Sequence, residues 1–448
     1  MPDRLHSKES LVLDPAASAS TIASQLAGLH PADIASALDR LDGELVSAVI
    51  AELDTETSAD VLIHLDEHAL GEVLADLETP EIADIATELE SDDAADVVGM
   101  LEEDRRDEVL SRLEDEDRRQ VEDLLRYTDE SAGGIMASEL VYLNRDKTVS
   151  DAIELIRLAA EQFDEIHNIY VTDGARRLVG VFPLSRLVLA QPNTKLADIM
   201  DPDVVSVSTD TDQEEVARVF SKYDLIAMPV VDPAGVLVGR ITVDDIIDVI
   251  HEEADEDISL MAGTREDELH EESAMRISRI RLPWLVIGAA GGLCSALVMR
   301  HFSLSLERVL ALAFFVPVIT AMGGNVGLQT STIIVRSMHS ERGLADAAGE
   351  RLLKEWRVAL TNAVVLGAAI WAIVGFWLGS WQLAAVVGGS LATVILVAAT
   401  LGALIPFALR GVGIDPAVAQ GPFVTTLNDI LGLLVYLGMA SVFLTTIS

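Results

Sequence analysis

The sequence predicts a multidomain membrane protein, in which a large acidic N-terminal part precedes a membrane domain of helices. The first observation is charge: residues 1–281 hold 66 acidic and 23 basic side chains, whereas residues 282–448 hold seven and eight. The second is hydropathy, because five long apolar segments lie in the C-terminal part. The third is a helical repeat followed by two similar α/β segments. We therefore expect an all-α superhelical N-terminal domain, two α/β domains in tandem, a connecting helix and a five-span α-helical membrane domain.

The N-terminal domain, residues 1–130, is predicted from a short repeat. Leucine and alanine pairs recur between acidic turns, as in ADVLIHL, EIADIATEL and ADVVGML, about every 12 residues. Their apolar residues are spaced as in amphipathic helices. One such unit is too small to bury its own apolar face, so neighbouring units must stack into a superhelix.

The excess of acidic residues limits the partners that the protein can bind. A surface with so many carboxylates repels the phosphates of nucleic acid, so we expect no nucleic-acid partner. It suits cations instead. A salt-rich cytoplasm is an alternative explanation, since the chain has five lysines against 26 arginines and salt screens repulsion between acids.

Two similar segments follow, at residues 131–200 and 201–262. Each has a short strand, a helix, two β-rich runs around an aspartate turn, and a second helix. The pair resembles a tandem of cystathionine-β-synthase (CBS) domains. In that family a Thr-x-x-Asp motif holds a ribose, which implies an adenine nucleotide such as ATP at Thr242 and Asp245. The first copy has Pro183 and Arg186 there and departs from the pattern.

A polar connector at residues 263–281 leads to the membrane domain, residues 282–448. The predicted spans lie near 283–302, 309–335, 358–379, 382–409 and 422–447. Five spans place the two chain ends on opposite sides of a cell membrane, and no secretory signal opens the chain. Basic residues flanking the spans number nine on the side of the acidic part and two on the other. The N-terminus is therefore predicted to be cytoplasmic and the C-terminus outside.

Polar residues within the spans indicate an ion path. Asp429 lies inside the fifth span, where a carboxylate is costly unless it faces water or a partner. Thr425 lies one turn earlier on the same face, and we expect Gly432 to leave room there for water. In the second span, PVITAMGGNVGLQ places Gly324 and Asn325 at membrane depth, and we expect its glycines to break the helix. Thr330 and Ser331 in that span are expected to bind neighbouring helices instead.

The motifs SAGGIM, PVITAMGGNVGLQ and GPFVTTLND, in this order around the paired domains, resemble the MgtE family of magnesium channels over essentially the whole chain. The resemblance implies a homodimer in the lipid bilayer with a pore on its two-fold axis, and Asp429 matches the pore aspartate of the family. Mg²⁺ dehydrates reluctantly and prefers oxygen ligands, which suits a few carboxylates that grip a hydrated ion.

The resemblance also implies a cytoplasmic Mg²⁺ sensor that closes the pore, coupled to it by a plug helix at 263–281. On a helix, Asp245, Asp248 and Glu252 would share one face, where like charges repel unless a cation screens them. The family's sensor residues match ten acids of this sequence: Asp92, Asp96, Asp212, Glu214, Asp224, Asp245, Asp248, Glu253, Glu256 and Asp257.

The sequence also bears on two functions other than a channel. A CBS-regulated secondary transporter of divalent cations (Mg²⁺, Co²⁺ or Mn²⁺) is the alternative, although the sequence has no visible inverted repeat. An enzyme is not expected, because the nine histidines are scattered and Cys294 lies in an apolar span. Asp415, just before the fifth span, either lies at a pore mouth or caps the helix start.

Overall fold

The computed structural model describes residues 13–159, 166–264, 273–338 and 344–447. It divides into two compact units, Met1–His251 and Glu252–Ser448. The first unit contains the helical repeat and the two α/β copies, and the second contains the apolar helices.

The N-terminal repeat forms a superhelix of short helices, as the sequence predicts. The helices are α1 Ala19–Leu26, α2 Pro31–Leu38, α3 Gly43–Ile50, α4 Thr55–Leu62, α5 Glu67–Asp76, α6 Thr79–Glu88, α7 Ser91–Gly99, α8 Glu103–Leu110 and α9 Asp115–Leu124. Alternate helices pack together, α1 on α3, α2 on α4 and so on. Acidic residues often precede the helices, and Asp54 and Asp66 accept hydrogen bonds from backbone N–H groups of the first turn. Part of the acidic excess therefore caps helices.

The two α/β copies have the same topology. The first contains β1 Tyr142–Asn144, α10 Val149–Ala159, β2 Asn168–Thr172, β3 Leu178–Pro183, α11 Leu184–Leu189 and α12 Leu196–Ile199. The second contains β4 Val207–Ser208, α13 Gln213–Tyr223, β5 Ala227–Val231, β6 Leu237–Thr242 and α14 Val243–Ala262. In each sheet the first pair of strands is parallel and the second antiparallel. Asp173 and Asp232 close the predicted turns by accepting backbone N–H groups.

The helical repeat and the second copy share one hydrophobic core, whereas the first copy has its own. The segment after α9 joins them: Ala132 N donates to Thr211 O at 2.7 Å, and Ala137 forms an antiparallel bridge with Arg240. Residues 131–137 thus pair with the second copy, although they precede the first copy in sequence. In the same unit, Arg240 of the second copy pairs with Glu90 at the start of α7.

Among its described residues, the second unit contains five helices long and apolar enough to cross a membrane, in agreement with the predicted count. They are α15 Ala274–His301, α17 Val316–Met338, α18 Leu344–Leu378, α19 Trp381–Gly411 and α20 Pro422–Ile447. The short helix α16 Ser303–Arg308 and 3-10 turns at Leu310–Phe315 and Pro416–Gln420 lie between them. Residues 274–281 of the predicted connector are the first turns of α15, and 265–272 lie outside the described residues.

The expected break at the glycines of the second span is wrong, because α17 is continuous through all of them. These glycines serve close packing instead. A Cβ atom on Gly402 of α19 would overlap the carbonyl oxygen of Gly327, and one on Gly327 would overlap the Asn428 amide of α20. Three helices therefore meet at Gly327, and this contact offsets the helical cost of the glycines.

Candidate functional site

The N-terminus of α7 lies against the second α/β copy through polar contacts. Arg240 Nη2 donates to both carboxylate oxygens of Glu90, each at 2.9 Å. Ser91 Oγ donates to Glu139 Oε2 at 2.8 Å and accepts from the backbone N–H of Ser138 at 2.8 Å. The helix start is thus held by one ion pair and a serine network.

Six carboxylates gather around this contact, and we call them the acidic joint: Glu90, Asp92, Asp93, Glu139, Asp244 and Asp245. Burial, together with the charges of Asp93 and Asp245, raises the pKa of Asp92 well above its ordinary value. Burial and the charge of Asp245 raise the pKa of Asp93 to about 8. Burial also raises the pKa of Asp245 to about 6, against the hydrogen bonds from Thr242 that lower it. The acidic joint therefore carries like charges that repel one another.

Of the ten acids implied as sensor ligands, the structure brings Asp92 and Asp245 together in the acidic joint. Asp96 is exposed on α7, though its charge still raises the pKa of Asp93. Sequence reasoning missed Asp93, Glu90, Glu139 and Asp244. Asp93 is next to Asp92 in the sequence, but no sequence feature makes it a better candidate ligand than Asp96.

The other implied ligands have separate structural positions. Asp212 caps α13 by accepting the Glu214 N–H at 3.0 Å, and Asp224 ends that helix with a left-handed backbone, φ 50°. Asp248 is exposed on α14. The remaining three, Glu253, Glu256 and Asp257, lie on the part of α14 that belongs to the second unit.

No metal-binding arrangement is preformed in the part of the chain that the structure describes: no three His, Cys, Asp or Glu side chains there converge closely enough to hold an ion directly. The donors of the acidic joint are nevertheless all oxygens, and one guanidinium, that of Arg240, offsets only part of their charge. Mg²⁺ usually keeps several waters and binds through one or two carboxylates. A hydrated Mg²⁺ therefore fits the acidic joint better than a fully stripped ion.

The predicted ribose-binding motif is a helix cap in the structure. Asp245 Oδ2 accepts the Thr242 N–H at 3.0 Å and its hydroxyl at 2.7 Å, as in a capping box at the start of α14. The first copy has a cap of this kind at a different place, the start of α10, where Asp151 Oδ2 accepts the N–H and the hydroxyl of Thr148. A small cleft between the copies is lined by Glu139, Val141, Ile166, His167, Asn168, Tyr170, Ala227 and Arg240.

The pKa values of the acidic joint predict a pH dependence. A carboxyl whose pKa is raised in the assembled joint binds more protons there than when the joint is open, so rising pH favours opening. Without divalent cation, raising the pH from 6 to 8.5 through the values of Asp245 and Asp93 should speed proteolysis between α7 and α14 by about tenfold or more. Asp96, Asp244 and Glu90 face these groups and add to the repulsion, while Arg240 opposes it.

Limited proteolysis of the full-length protein in detergent, with chelator, measures this dependence. The same pH series with saturating Mg²⁺ is the control, since bound metal replaces the protons and should flatten the curve. Proteolysis between α7 and α14 that becomes faster as the pH is lowered would contradict the raised pKa values assigned to the acidic joint.

In the second unit, the predicted pore residues lie where α17 meets α20. Gly324 of α17 faces Thr425 of α20, because a Cβ on Gly324 would lie 3.4 Å from Thr425 Cγ2. Asp429, one turn further along α20, is partly buried, whereas Thr425 and Asn325 are exposed on the chain. Gly324 and Thr425 thus face each other across the contact between α17 and α20, which we call the α17–α20 seam. Asp429 follows Thr425 by one helical turn on α20, and Asn325 follows Gly324 on α17.

The structure also shows the surroundings of Asp415 and Gly432. Asp415 Oδ1 accepts the Ala417 N–H at 2.6 Å and caps the short 3-10 turn before α20, which accounts for this acid without a pore role. Gly432 is buried, and a Cβ there would lie 3.4 Å from Val394 Cγ1. A Cβ there would make an ordinary van der Waals contact with α19, and the expectation that Gly432 leaves room for water stays a prediction.

Comparisons with known proteins agree with this architecture. Residues 316–439 match the MgtE divalent cation transporter family, residues 29–130 the MgtE intracellular N domain, and residues 132–193 and 196–252 the CBS domain. The magnesium transporter MgtE of Thermus thermophilus is 41% identical over 336 residues, 72% of each chain.

The magnesium transporter MgtE of Bacillus subtilis is 37% identical over 324 residues, again 72% of each chain. Among solved structures, the cytosolic domain of the Mg²⁺ channel MgtE in complex with ATP is 40% identical. That match covers 51% of this chain and 93% of that one, with a TM-score of 0.48.

Proposed function

Because the chain belongs to the MgtE family of divalent cation transporters, we propose that it is a Mg²⁺ channel of the cell membrane that takes up Mg²⁺ and is closed by Mg²⁺ on its cytoplasmic side. Transport of Mg²⁺ follows from the family, in which the relatives at 41% and 37% identity are magnesium transporters. The observation that carries the channel proposal is the partly buried Asp429 within a membrane helix, beside Gly324 and Thr425.

The pore is proposed to form between two copies of the chain. Thr425 and Asn325 are polar, lie at membrane depth and are exposed on a single copy, where contact with lipid is unfavourable. Pairing two copies around a shared axis would cover these side chains and bring two Asp429 carboxylates to one hydrated cation. The acidic N-terminal part is proposed to face the cytoplasm, as the flanking basic residues indicate.

Regulation is proposed to act through the acidic joint. Its carboxylates repel one another, so Mg²⁺ binding should hold α7 against α14 and cation loss should let them separate. The ten implied acids remain the proposed ligand set, with Asp92 and Asp245 best supported and Asp93 added. The plug role of residues 263–281 rests on the family resemblance.

An adenine nucleotide, such as ATP, is proposed to bind the CBS pair. The match of residues 132–193 and 196–252 to the CBS domain supports this proposal. The small cleft between the copies would have to widen to admit a nucleotide. Because Arg240 pairs with Glu90, the cleft borders the acidic joint.

Electrical recording separates the channel from the alternative, a secondary transporter. We expect reconstituted protein to carry Mg²⁺ current well above carrier turnover, because a hydrated ion needs no large protein motion for each passage. Flux at carrier rates that requires a second solute would overturn the channel proposal. Nucleotide added to the cytoplasmic side in the same recordings tests the CBS site, and an unchanged Mg²⁺ dependence would count against it.

A further inference from the structure

Asn428 is a buried amide without a hydrogen bond. It is 2% exposed on α20, and neither its Nδ2 nor its Oδ1 has a partner among the described residues. The amide lies against Gly327 of α17, where an added Cβ would overlap Nδ2. A buried unpaired amide is unfavourable, because it has given up its bonds to water and gained none.

Two larger polar side chains in the membrane helices do have partners. Tyr436 Oη donates to Leu312 O at 2.8 Å, and Trp356 Nε1 donates to Thr400 Oγ1 at 3.1 Å. Asn428, in contrast, leaves both polar atoms of its side chain without a partner among the described residues, which calls for a specific explanation.

A second unpaired group lies one helical turn after Gly327 on α17. Ser331 is fully buried, and its Oγ has no partner within the described part of the chain. Helical side chains lean toward the N-terminus of their helix, so Ser331 leans toward Gly327, four residues earlier. Asn428 leans toward Val424, which also faces Gly327. Helix geometry therefore directs both polar groups toward the level of Gly327.

We propose that the α17–α20 seam at Gly327 is a water-binding site, with the Asn428 amide and the Ser331 hydroxyl as its ligands, which fills when α20 moves away from α17 as the pore opens. The seam is tightly closed at Gly327 in the present arrangement, so water enters only as the helices separate. Asn428 precedes Asp429 by one residue on α20, so this water lies at nearly the same depth as the proposed cation site, on a neighbouring face of the helix. The inference rests on the proposed function, because it assigns the seam a role in cation passage.

A matched pair of variants tests it, Asn428→Val and Asn428→Thr, which have the same shape and differ in one hydroxyl. In proteoliposomes we expect Asn428→Val to lower maximal Mg²⁺ uptake by about tenfold, with the half-saturating Mg²⁺ concentration unchanged, because the moving seam loses its bond to water. Asn428→Thr should keep at least about half of the uptake, since its hydroxyl binds water. Hydrogen exchange of the amides around Gly327 should be slower in the valine variant than in the threonine variant.

The inference would be overturned if the two variants showed equal Mg²⁺ uptake and equal hydrogen exchange, whether high or low. The shape of the side chain alone would then determine both quantities. If the valine variant does not fold, Ser331→Ala replaces it, and wild-type uptake and exchange in that variant would likewise overturn the inference. The variant Asp429→Asn distinguishes failure of the water site from failure of the proposed function. If Asp429→Asn transports like wild type, the proposed function fails; if Asp429→Asn is inactive and Asn428→Val is normal, only the water site fails.

Discussion

Millimolar Mg²⁺ should slow proteolysis between α7 and α14 of the full-length protein by about tenfold or more at pH 8, relative to chelator. The expectation follows from the acidic joint, where burial raises the pKa values of Asp92, Asp93 and Asp245 together. At pH 8 Asp245, whose pKa is about 6, is ionised, and Asp93, whose pKa is about 8, is about half ionised, so the two carboxylates repel each other. A divalent cation removes the repulsion and favours the assembled joint.

The double variant Asp93→Asn with Asp245→Asn should lose this Mg²⁺ response, to less than about twofold, and should resist proteolysis even in chelator. Both changes keep the shape of the side chain and remove its charge. The matched control is Asp60→Asn with Asp104→Asn, two exposed aspartates elsewhere in the N-terminal domain, which should respond like wild type. A wild-type protein that is cut at the same rate with and without Mg²⁺ would contradict the sensor assignment.

The local architecture followed from the sequence. Helical spacing in residues 20–126 predicts the stacked short helices, and the two β-rich runs of each α/β copy predict the sheets, because these signals depend on neighbours a few residues apart. The five spans followed from hydropathy.

Long-range contacts were not predictable in this way. Glu90 and Arg240 are 150 residues apart and pair only because residues 131–137 run along the second copy. The acidic joint depends on that path, so Asp93 could not be preferred to Asp96 from the sequence. The glycines of α17 illustrate a second limit of prediction from sequence. Glycine is expected both where a helix breaks and where two helices pack closely, so its presence does not distinguish the two. Contact with Gly402 and Asn428 decides between them.

Asp429 should be indispensable for Mg²⁺ passage. A carboxylate about 5 Å from a hydrated divalent ion gains about 1.7 kcal/mol even at the dielectric constant of water, which is roughly 15-fold in occupancy. Two carboxylates on a dimer axis would contribute more than about 100-fold together. Asparagine keeps the shape of Asp429 and removes this attraction, so the change isolates charge.

The central claim is that Asp429 holds a hydrated Mg²⁺ in the membrane, and Mg²⁺ uptake into proteoliposomes tests it most directly. We expect Asp429→Asn to lose about 100-fold or more of the wild-type rate, with folding and assembly intact by size-exclusion chromatography. Asp415→Asn is the matched control, because Asp415 is exposed and its capping oxygen is retained in asparagine. That control should transport like wild type. Wild-type uptake by Asp429→Asn would contradict the claim.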